Sequence, residues 1–160
     1  MPTVSLNKMI EKLELKNLTP EVSTEGIEIS SPDINRPALQ LAGYFEHFAC
    51  ERVQIIGYVE YTYLKSQNRE EKLKNYERFM SSKIPCVIYA SRTEPDEDMY
   101  EMARKYNKPL LFSNRMTSPL MAEVIRWLNV ELAPCISIHG VLVDVYGEGV
   151  LITGESGIGK

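Results

Sequence analysis

The sequence is poor in cysteine and has no long apolar run, and both deficits limit what the protein can be. Its three cysteines, Cys50, Cys86 and Cys135, are odd in number, widely spaced and outside any Cys-x-x-Cys pair. This argues against a disulfide scaffold and a zinc site, and a reducing cytoplasm is the simplest setting. No run approaches the roughly 18 apolar residues of a membrane-spanning helix, and the N-terminus lacks the apolar region of a secretory signal. We therefore expect a cytoplasmic protein without a membrane partner.

Positive charge is also scarce. The 160 residues contain 18 Lys+Arg against 22 Asp+Glu, which gives a net charge of −4. Because nucleic-acid binding needs a basic face to neutralise phosphates, we do not expect a nucleic-acid partner. What the chain does have is a globular composition, 44% hydrophobic and 25% charged, which suits one domain or one domain with part of a second.

Short apolar segments alternate with helical patterns in the first 130 residues. Strands are predicted at 27–29, 53–56, 86–89 and 110–112. Helices are predicted at about 5–14 with Ser5 near the N-cap, at 37–45, at about 69–80, between an Asp96 cap and Asn107, and after a Thr117-Ser118 cap. This order predicts an α/β domain at about 1–130, with a mostly parallel sheet flanked by helices.

The pattern changes after a predicted linker at 131–135. Residues 136–145 and 150–153 predict two strands joined by a turn, which is a hairpin and not another strand–helix–strand unit. We expect residues 136–160 to open a second, incomplete domain.

A glycine-rich segment follows the second strand of that hairpin. It fits the pattern GxxxxGK and consists of Gly154, Glu155, Ser156, Gly157, Ile158, Gly159 and Lys160. The glycines let backbone N–H groups turn inward around a phosphate, and the lysine places a positive charge near the β- and γ-phosphates. The segment therefore predicts a nucleotide-binding loop, with an ordinary glycine-rich turn as the alternative.

His139 is a second candidate. If residues 147–148 form the hairpin tip, the extended ladder places His139 opposite Ser156, where cross-strand Cβ atoms lie about 5 Å apart. An imidazole beside a phosphate loop can donate to a phosphoryl oxygen or move a proton near neutral pH. A lone histidine in an apolar strand is usually structural, so both interpretations stay open.

Other polar segments carry weaker signals. Ser91-Arg92-Thr93 and Ser113-Asn114-Arg115 follow parallel strands, at the edge where open α/β sheets bind ligands, but ordinary polar loops are the favoured interpretation. We expect a solvated helix face at Glu70, Glu71, Lys72 and Lys74. We expect methionines that fill the core at Met99, Met102, Met116 and Met121. His47 is expected to be partly buried.

The sequence resembles the HPr kinase/phosphorylase family. Residues 139–147 and 149–160 are similar to the strand, turn and Walker A loop that open the catalytic domain of that family. Upstream, residues 31–43, 84–86 and 132–134 resemble its N-terminal domain. The resemblance covers essentially the whole chain.

The resemblance implies a fold and an activity. The fold is a Mur-ligase-like N-terminal α/β domain followed by the opening hairpin and P-loop of a PEP-carboxykinase-like kinase domain. The activity is phosphorylation of a serine on HPr, the phosphocarrier of the bacterial sugar phosphotransferase system, with ATP or pyrophosphate and Mg²⁺. The family also removes that phosphate by phosphorolysis, in carbon catabolite regulation, and its members are cytoplasmic and typically hexameric.

The resemblance also implies roles for single residues. His139 and Lys160 match active-site positions, and Gly154 through Lys160 match nucleotide-binding positions. The catalytic aspartate and the metal-binding serine and glutamate of the family lie beyond residue 160, so no metal ligand is assigned. We therefore expect the 160-residue chain to represent part of a longer enzyme and to transfer no phosphate to HPr by itself.

Two other functions remain as alternatives. One is a noncatalytic α/β domain for assembly or small-ligand sensing. The other is a different P-loop enzyme, which is disfavoured because a hairpin precedes the loop where a strand–helix–strand start is usual.

Overall fold

A computed structural model describes residues 2–133 of the chain. The strands are β1 (Val4–Ser5), β2 (Lys16–Asn17), β3 (Glu28–Ile29), β4 (Ile34–Asn35), β5 (Val53–Ile56), β6 (Val87–Tyr89) and β7 (Leu110–Phe112). The helices are α1 (Leu6–Lys12), α2 (Ala38–Leu41), α3 (Tyr58–Ser66), α4 (Arg69–Met80), α5 (Glu97–Tyr106) and α6 (Thr117–Glu131).

A five-stranded sheet of order β2-β7-β6-β5-β4 forms the centre of the domain. Strands β4 to β7 are mutually parallel, and β2 pairs antiparallel with β7 at one edge. A separate antiparallel pair joins β1 and β3. The α/β fold with a mostly parallel sheet is therefore confirmed.

The two faces of the sheet bury two apolar clusters. The side chains of Ile55, Ile88 and Leu111 pair across neighbouring strands and lie in a cluster with α1 and α6. Ile56 and Tyr89 point to the opposite face, into a cluster with α2 to α5. Strands that are covered on both faces have continuous apolar sequences, which is why these segments were recognisable.

Three helix caps agree with the sequence prediction. The Ser5 hydroxyl accepts from the Lys8 N–H at 3.1 Å, and Asp96 accepts from the Met99 N–H at 2.8 Å. Asn107 has the left-handed conformation (φ 57°, ψ 49°) and ends α5.

The helix predicted at 37–45 is wrong in its length. Helix α2 ends at Leu41, and Gly43 follows with φ +105°. A residue at that φ cannot continue a right-handed helix, so the chain turns there. The predicted cap of α6 is also displaced, since Thr117 is already helical and Met116 holds the N-cap position.

Several short elements were not predicted. Helix α3 was missed because its sequence is rich in tyrosine and β-branched residues and buries few side chains, Glu60 and Leu64 among them. Strands β1, β2 and β4 have two residues each, and only their pairing with distant segments defines them.

Three predictions about the burial of side chains are wrong. The His47 side chain is 92% exposed and therefore not partly buried. Met116 is 51% exposed, because it precedes α6 on the outside of the domain. Lys72 is only 13% exposed, since it turns inward to Asp96. No helix within residues 2–133 is both long and apolar enough to cross a membrane.

Candidate functional site at the carboxyl ends of the parallel strands

The site residues singled out in the sequence lie outside the described residues. These are His139 and the loop Gly154, Glu155, Ser156, Gly157, Ile158, Gly159 and Lys160, and the predicted hairpin lies there too. Their roles stay predictions. Within residues 2–133, the candidate site is the edge of the sheet where β4 to β7 end, which is where parallel α/β sheets bind ligands.

An ion pair with a buried carboxylate connects the ends of β4 and β5. Arg36, directly after β4, donates to both carboxylate oxygens of Glu60 at 2.8 and 2.6 Å. Oε1 of Glu60 also accepts from the Gly57 N–H at 3.0 Å, and the Glu60 side chain is 3% exposed. Because its donors surround the carboxylate, this pair holds the two loops together.

The two polar loops after β6 and β7 have different roles. Arg115 is structural, because its guanidinium donates to the Leu13 carbonyl at 3.0 Å and its own carbonyl accepts from the Ser91 N–H at 2.8 Å. Arg92 is exposed, has φ +69°, and stacks its guanidinium 4.5 Å from the centre of the Tyr58 ring. Arg115 thus has a structural role in its loop and is not simply solvated, whereas Arg92 is exposed and lines a cavity.

Two adjoining cavities open at this edge. The first, of about 270 Å³, is lined by Tyr61, Leu64, Lys65, Gln67, Lys72, Tyr76, Tyr89, Glu94, Pro95 and Asp96. The second, of about 450 Å³, is lined by Lys16, Leu18, Tyr61, Arg92, Thr93, Glu94, Pro95, Tyr100 and Phe112. They share Tyr61, Glu94 and Pro95. We call the two together the carboxyl-end crevice.

Asp96 organises one wall of the crevice. Its carboxylate caps α5 and accepts from Lys72 Nζ at 2.8 Å and from the Tyr76 hydroxyl at 2.9 Å. Burial raises the pKa of Tyr76, and the nearby Tyr89 and Asp96 raise it further. Burial likewise raises the pKa of Tyr89. Both hydroxyls therefore stay protonated at neutral pH and act as hydrogen-bonding groups, not as bases.

The walls of the crevice carry tyrosine, lysine, arginine and carboxylate side chains, which suit the binding of a ligand. Burial raises the pKa of the Cys86 thiol well above neutrality, which removes it as a nucleophile. No cluster of three or more His, Cys, Asp or Glu side chains within residues 2–133 is arranged to hold a metal ion. Of the residues that line the crevice, Arg92 was a candidate from the sequence, but Tyr61 and Gln67 were not. Tyr61 lies on α3 and Gln67 caps its C-terminus, and the sequence patterns did not predict this helix.

Comparison with known proteins identifies the family. A family model described as the HPr serine kinase N terminus matches residues 4–128, and one described as the HPr serine kinase C-terminal domain matches residues 130–160. Among solved structures, one of the CBS and DRTGG domains of the regulatory region of a Clostridium perfringens pyrophosphatase is similar. The aligned region covers 76% of this chain and 45% of the pyrophosphatase chain, with 16% sequence identity and a TM-score of 0.48.

Curated relatives match along the whole chain. A protein named HPr kinase/phosphorylase from Lachnoclostridium phytofermentans is 53% identical over 160 residues, 100% of this chain and 52% of that protein. One of the same name from Alkaliphilus metalliredigens is 42% identical, with the same coverage. The chain thus spans about half the length of the curated relatives that it matches. Because the N-terminus model matches well over half of its residues, the chain belongs to the HPr serine kinase family, as its resemblance predicted.

Proposed function

We propose that this chain is the amino-terminal part of an enzyme that phosphorylates a serine of HPr with ATP or pyrophosphate and reverses the reaction by phosphorolysis. The observation that carries the proposal is the 53% identity, over all 160 residues, to a relative named HPr kinase/phosphorylase. The enzyme acts in the cytoplasm in carbon catabolite regulation, and it assembles as a homo-oligomer, a hexamer as in the family.

The catalytic residues of the proposal lie in the segment 136–160. The backbone N–H groups of Gly154 to Lys160 surround the phosphates of the nucleotide, and the Lys160 ammonium neutralises their charge. His139 donates a hydrogen bond to a phosphoryl oxygen or moves a proton near it. Mg²⁺, when bound with the nucleotide, neutralises the charge that develops on the transferred group.

The alternative of a noncatalytic assembly or sensing module is not favoured for the parent protein. Family models for both the N terminus and the C-terminal domain match this chain, the second over residues 130–160.

The test is HPr phosphorylation by the full-length protein that carries this sequence. His139→Asn should lower the turnover by about 10²–10⁴-fold, the usual contribution of a general acid or base, and Lys160→Ala should lower it at least as much. The matched control is His47→Asn, since His47 is 92% exposed and asparagine tolerates its φ of 57°. Unchanged turnover in His139→Asn would remove His139 from the mechanism, and absence of phosphoserine on HPr with the unsubstituted protein would contradict the function.

A further inference from the structure

We propose that the larger cavity of the carboxyl-end crevice binds an α-amino acid with an apolar side chain, its carboxylate at Arg92 and Lys16 and its ammonium at Glu94. This goes beyond the proposed function, because it gives the N-terminal domain a ligand of its own, apart from the predicted nucleotide-binding loop. The cavity of about 450 Å³ lies within the range of roughly 300–1,000 Å³ that is usual for ligand pockets. It also opens at the carboxyl edge of the parallel strands, where such sheets bind ligands.

Two cations in the wall of this cavity are available for a carboxylate. Lys16, on the edge strand β2, and Arg92, in the loop after β6, are both exposed and line the cavity. Among residues 2–133, neither side chain forms an ion pair or donates a hydrogen bond. The Tyr58 ring lies 4.5 Å from the guanidinium of Arg92 and supports it from one face, whereas the N–H groups lie in the plane of the guanidinium. A guanidinium presented in this way suits a planar carboxylate.

The backbone of Arg92 is strained, and a tight turn maintains the strain. The Thr93 N–H donates to the Ala90 carbonyl at 3.2 Å, and the Thr93 hydroxyl donates to the same oxygen at 2.7 Å. Within this turn Arg92 has φ +69°, a conformation in which glycine or asparagine is less costly than arginine. Backbone strain of this kind clusters at ligand-binding positions, and here it belongs to a residue that lines the cavity.

Glu94 supplies the opposite charge. It follows Arg92 by two residues, lines the same cavity and is exposed, and its carboxylate forms no ion pair among the described residues. Burial raises the pKa of Tyr100, another residue of this wall, and the nearby charge of Glu94 raises it further. A carboxylate in the wall repels a phosphate dianion but attracts an ammonium group. Two cations together with one carboxylate therefore favour a ligand that carries both signs of charge.

The rest of the cavity wall offers apolar surface. Leu18 and Phe112 are half-buried against the apolar cluster with α2 to α5, and both line the cavity. Phe112 pairs directly with Lys16 between β7 and β2, so this apolar surface lies beside one of the cations. Tyr100 and the buried Pro95 extend it. An apolar side chain that covers this surface removes it from water, which favours binding. The wall thus has a partner for each part of an apolar amino acid.

Calorimetric titration of the full-length protein that carries this sequence with L-leucine and with L-phenylalanine, without nucleotide or HPr, tests the proposal. We expect saturable binding. Phenethylamine lacks the carboxylate of phenylalanine and 3-phenylpropionate lacks its ammonium, so each should bind at least about tenfold more weakly than L-phenylalanine. Glycine, which has no apolar side chain, should also bind more weakly. Absence of saturable binding of both amino acids, or equal affinity for glycine or 3-phenylpropionate, would overturn the proposal.

Variants at the cavity locate the site. Arg92→Asn, in which asparagine tolerates the φ of +69°, and Glu94→Gln should each weaken the binding of these amino acids about tenfold. Glu97→Gln is the matched control for Glu94→Gln, because Glu97 is an exposed glutamate of α5 that lines neither cavity. Lys16→Gln should also weaken binding, and its control is Lys83→Gln, since Lys83 is exposed and lines neither cavity. Both controls should bind as the unsubstituted protein does.

Normal binding by Arg92→Asn or by Glu94→Gln would contradict the site, as would an equal loss in a cavity variant and its control. Phosphorylation of HPr decides the proposed function independently, since the titration contains neither HPr nor a nucleotide. A protein that phosphorylates HPr but binds neither amino acid would refute this inference alone. A protein that binds them but does not phosphorylate HPr would refute the proposed function alone.

Discussion

At the scale of single residues, Gly57 shows how closely the loops at the carboxyl edge approach each other. An added Cβ would lie 2.6 Å from Thr117 Oγ1, 2.7 Å from Thr117 Cγ2 and 2.7 Å from Arg36 Nη2. The φ of Gly57 is −104°, which any residue adopts, so space and not backbone conformation requires glycine there. Neither neighbour moves freely, because Arg36 is bound to Glu60 and Thr117 opens α6.

Gly57→Ala should therefore lower the free energy of unfolding by about 1–3 kcal/mol, the usual cost of overpacking. Urea denaturation measures the change. Thr117→Ala removes two of the three close atoms, so the double variant Gly57→Ala/Thr117→Ala should lose less than the sum of the two single variants. A Gly57→Ala protein as stable as the unsubstituted one would show that this edge of the sheet is not tightly packed.

At the scale of elements, a group of charges joins α4 to α5. Arg69 donates to both carboxylate oxygens of Asp98 at 3.1 and 2.9 Å, and Lys72 bonds Asp96 at 2.8 Å. The hydrogen bonds from Arg69 hold the pKa of Asp98 below its usual value, aided by the charges of Arg69 and Lys72. A carboxylate with a lowered pKa in the folded state stabilises the fold above its unfolded pKa, and that stabilisation is lost as the pH falls through the folded pKa.

Asp98→Asn should therefore reduce the loss of stability between about pH 5 and pH 2, while lowering stability at pH 7. Glu97→Gln is the matched control, because Glu97 lies in the same first turn of α5 but forms no ion pair among residues 2–133. Chemical denaturation at several pH values gives the comparison. Identical pH profiles for Asp98→Asn and the unsubstituted chain would mean that Arg69 does not stabilise the Asp98 carboxylate.

At the scale of the whole molecule, one sheet divides two apolar clusters. The central strand β6 contributes Ile88 to the cluster with α1 and α6, and Val87 and Tyr89 to the cluster with α2 to α5. Both clusters pack on the same strands. Unfolding of the sheet therefore removes packing contacts from both clusters at once. We therefore expect the described domain to unfold cooperatively.

Ile88→Ala should lower the free energy of unfolding by about 2–5 kcal/mol, because Ile88 is fully buried and its removal leaves a cavity. Val130→Ala, at a position that is 64% exposed, should change it by no more than about 0.5 kcal/mol. Fluorescence of Trp127 in the first cluster and far-ultraviolet circular dichroism should report the same transition. Separate transitions would show that the two clusters fold independently.

The sequence by itself determined the features that depend on local patterns. Apolar segments marked β6 and β7 and, interrupted only by the buried Gln54, also β5, because strands covered on both faces show no regular polar alternation. The caps of α1 and α5 were readable, since a cap bonds the backbone only a few residues away. The glycine-rich loop at 154–160 and the family resemblance also came from the sequence, although the roles of His139 and Lys160 remain predictions.

Only the tertiary structure decided what depends on distant residues. The two-residue strands β1, β2 and β4 exist through pairing with other segments, and Lys72 is only 13% exposed because Asp96, 24 residues away, accepts from it. The carboxyl-end crevice brings together Lys16, Tyr61 and Arg92, from three separate parts of the chain. Local sequence carries no record of such contacts, since their free energy arises only after the sheet has aligned its carboxyl ends.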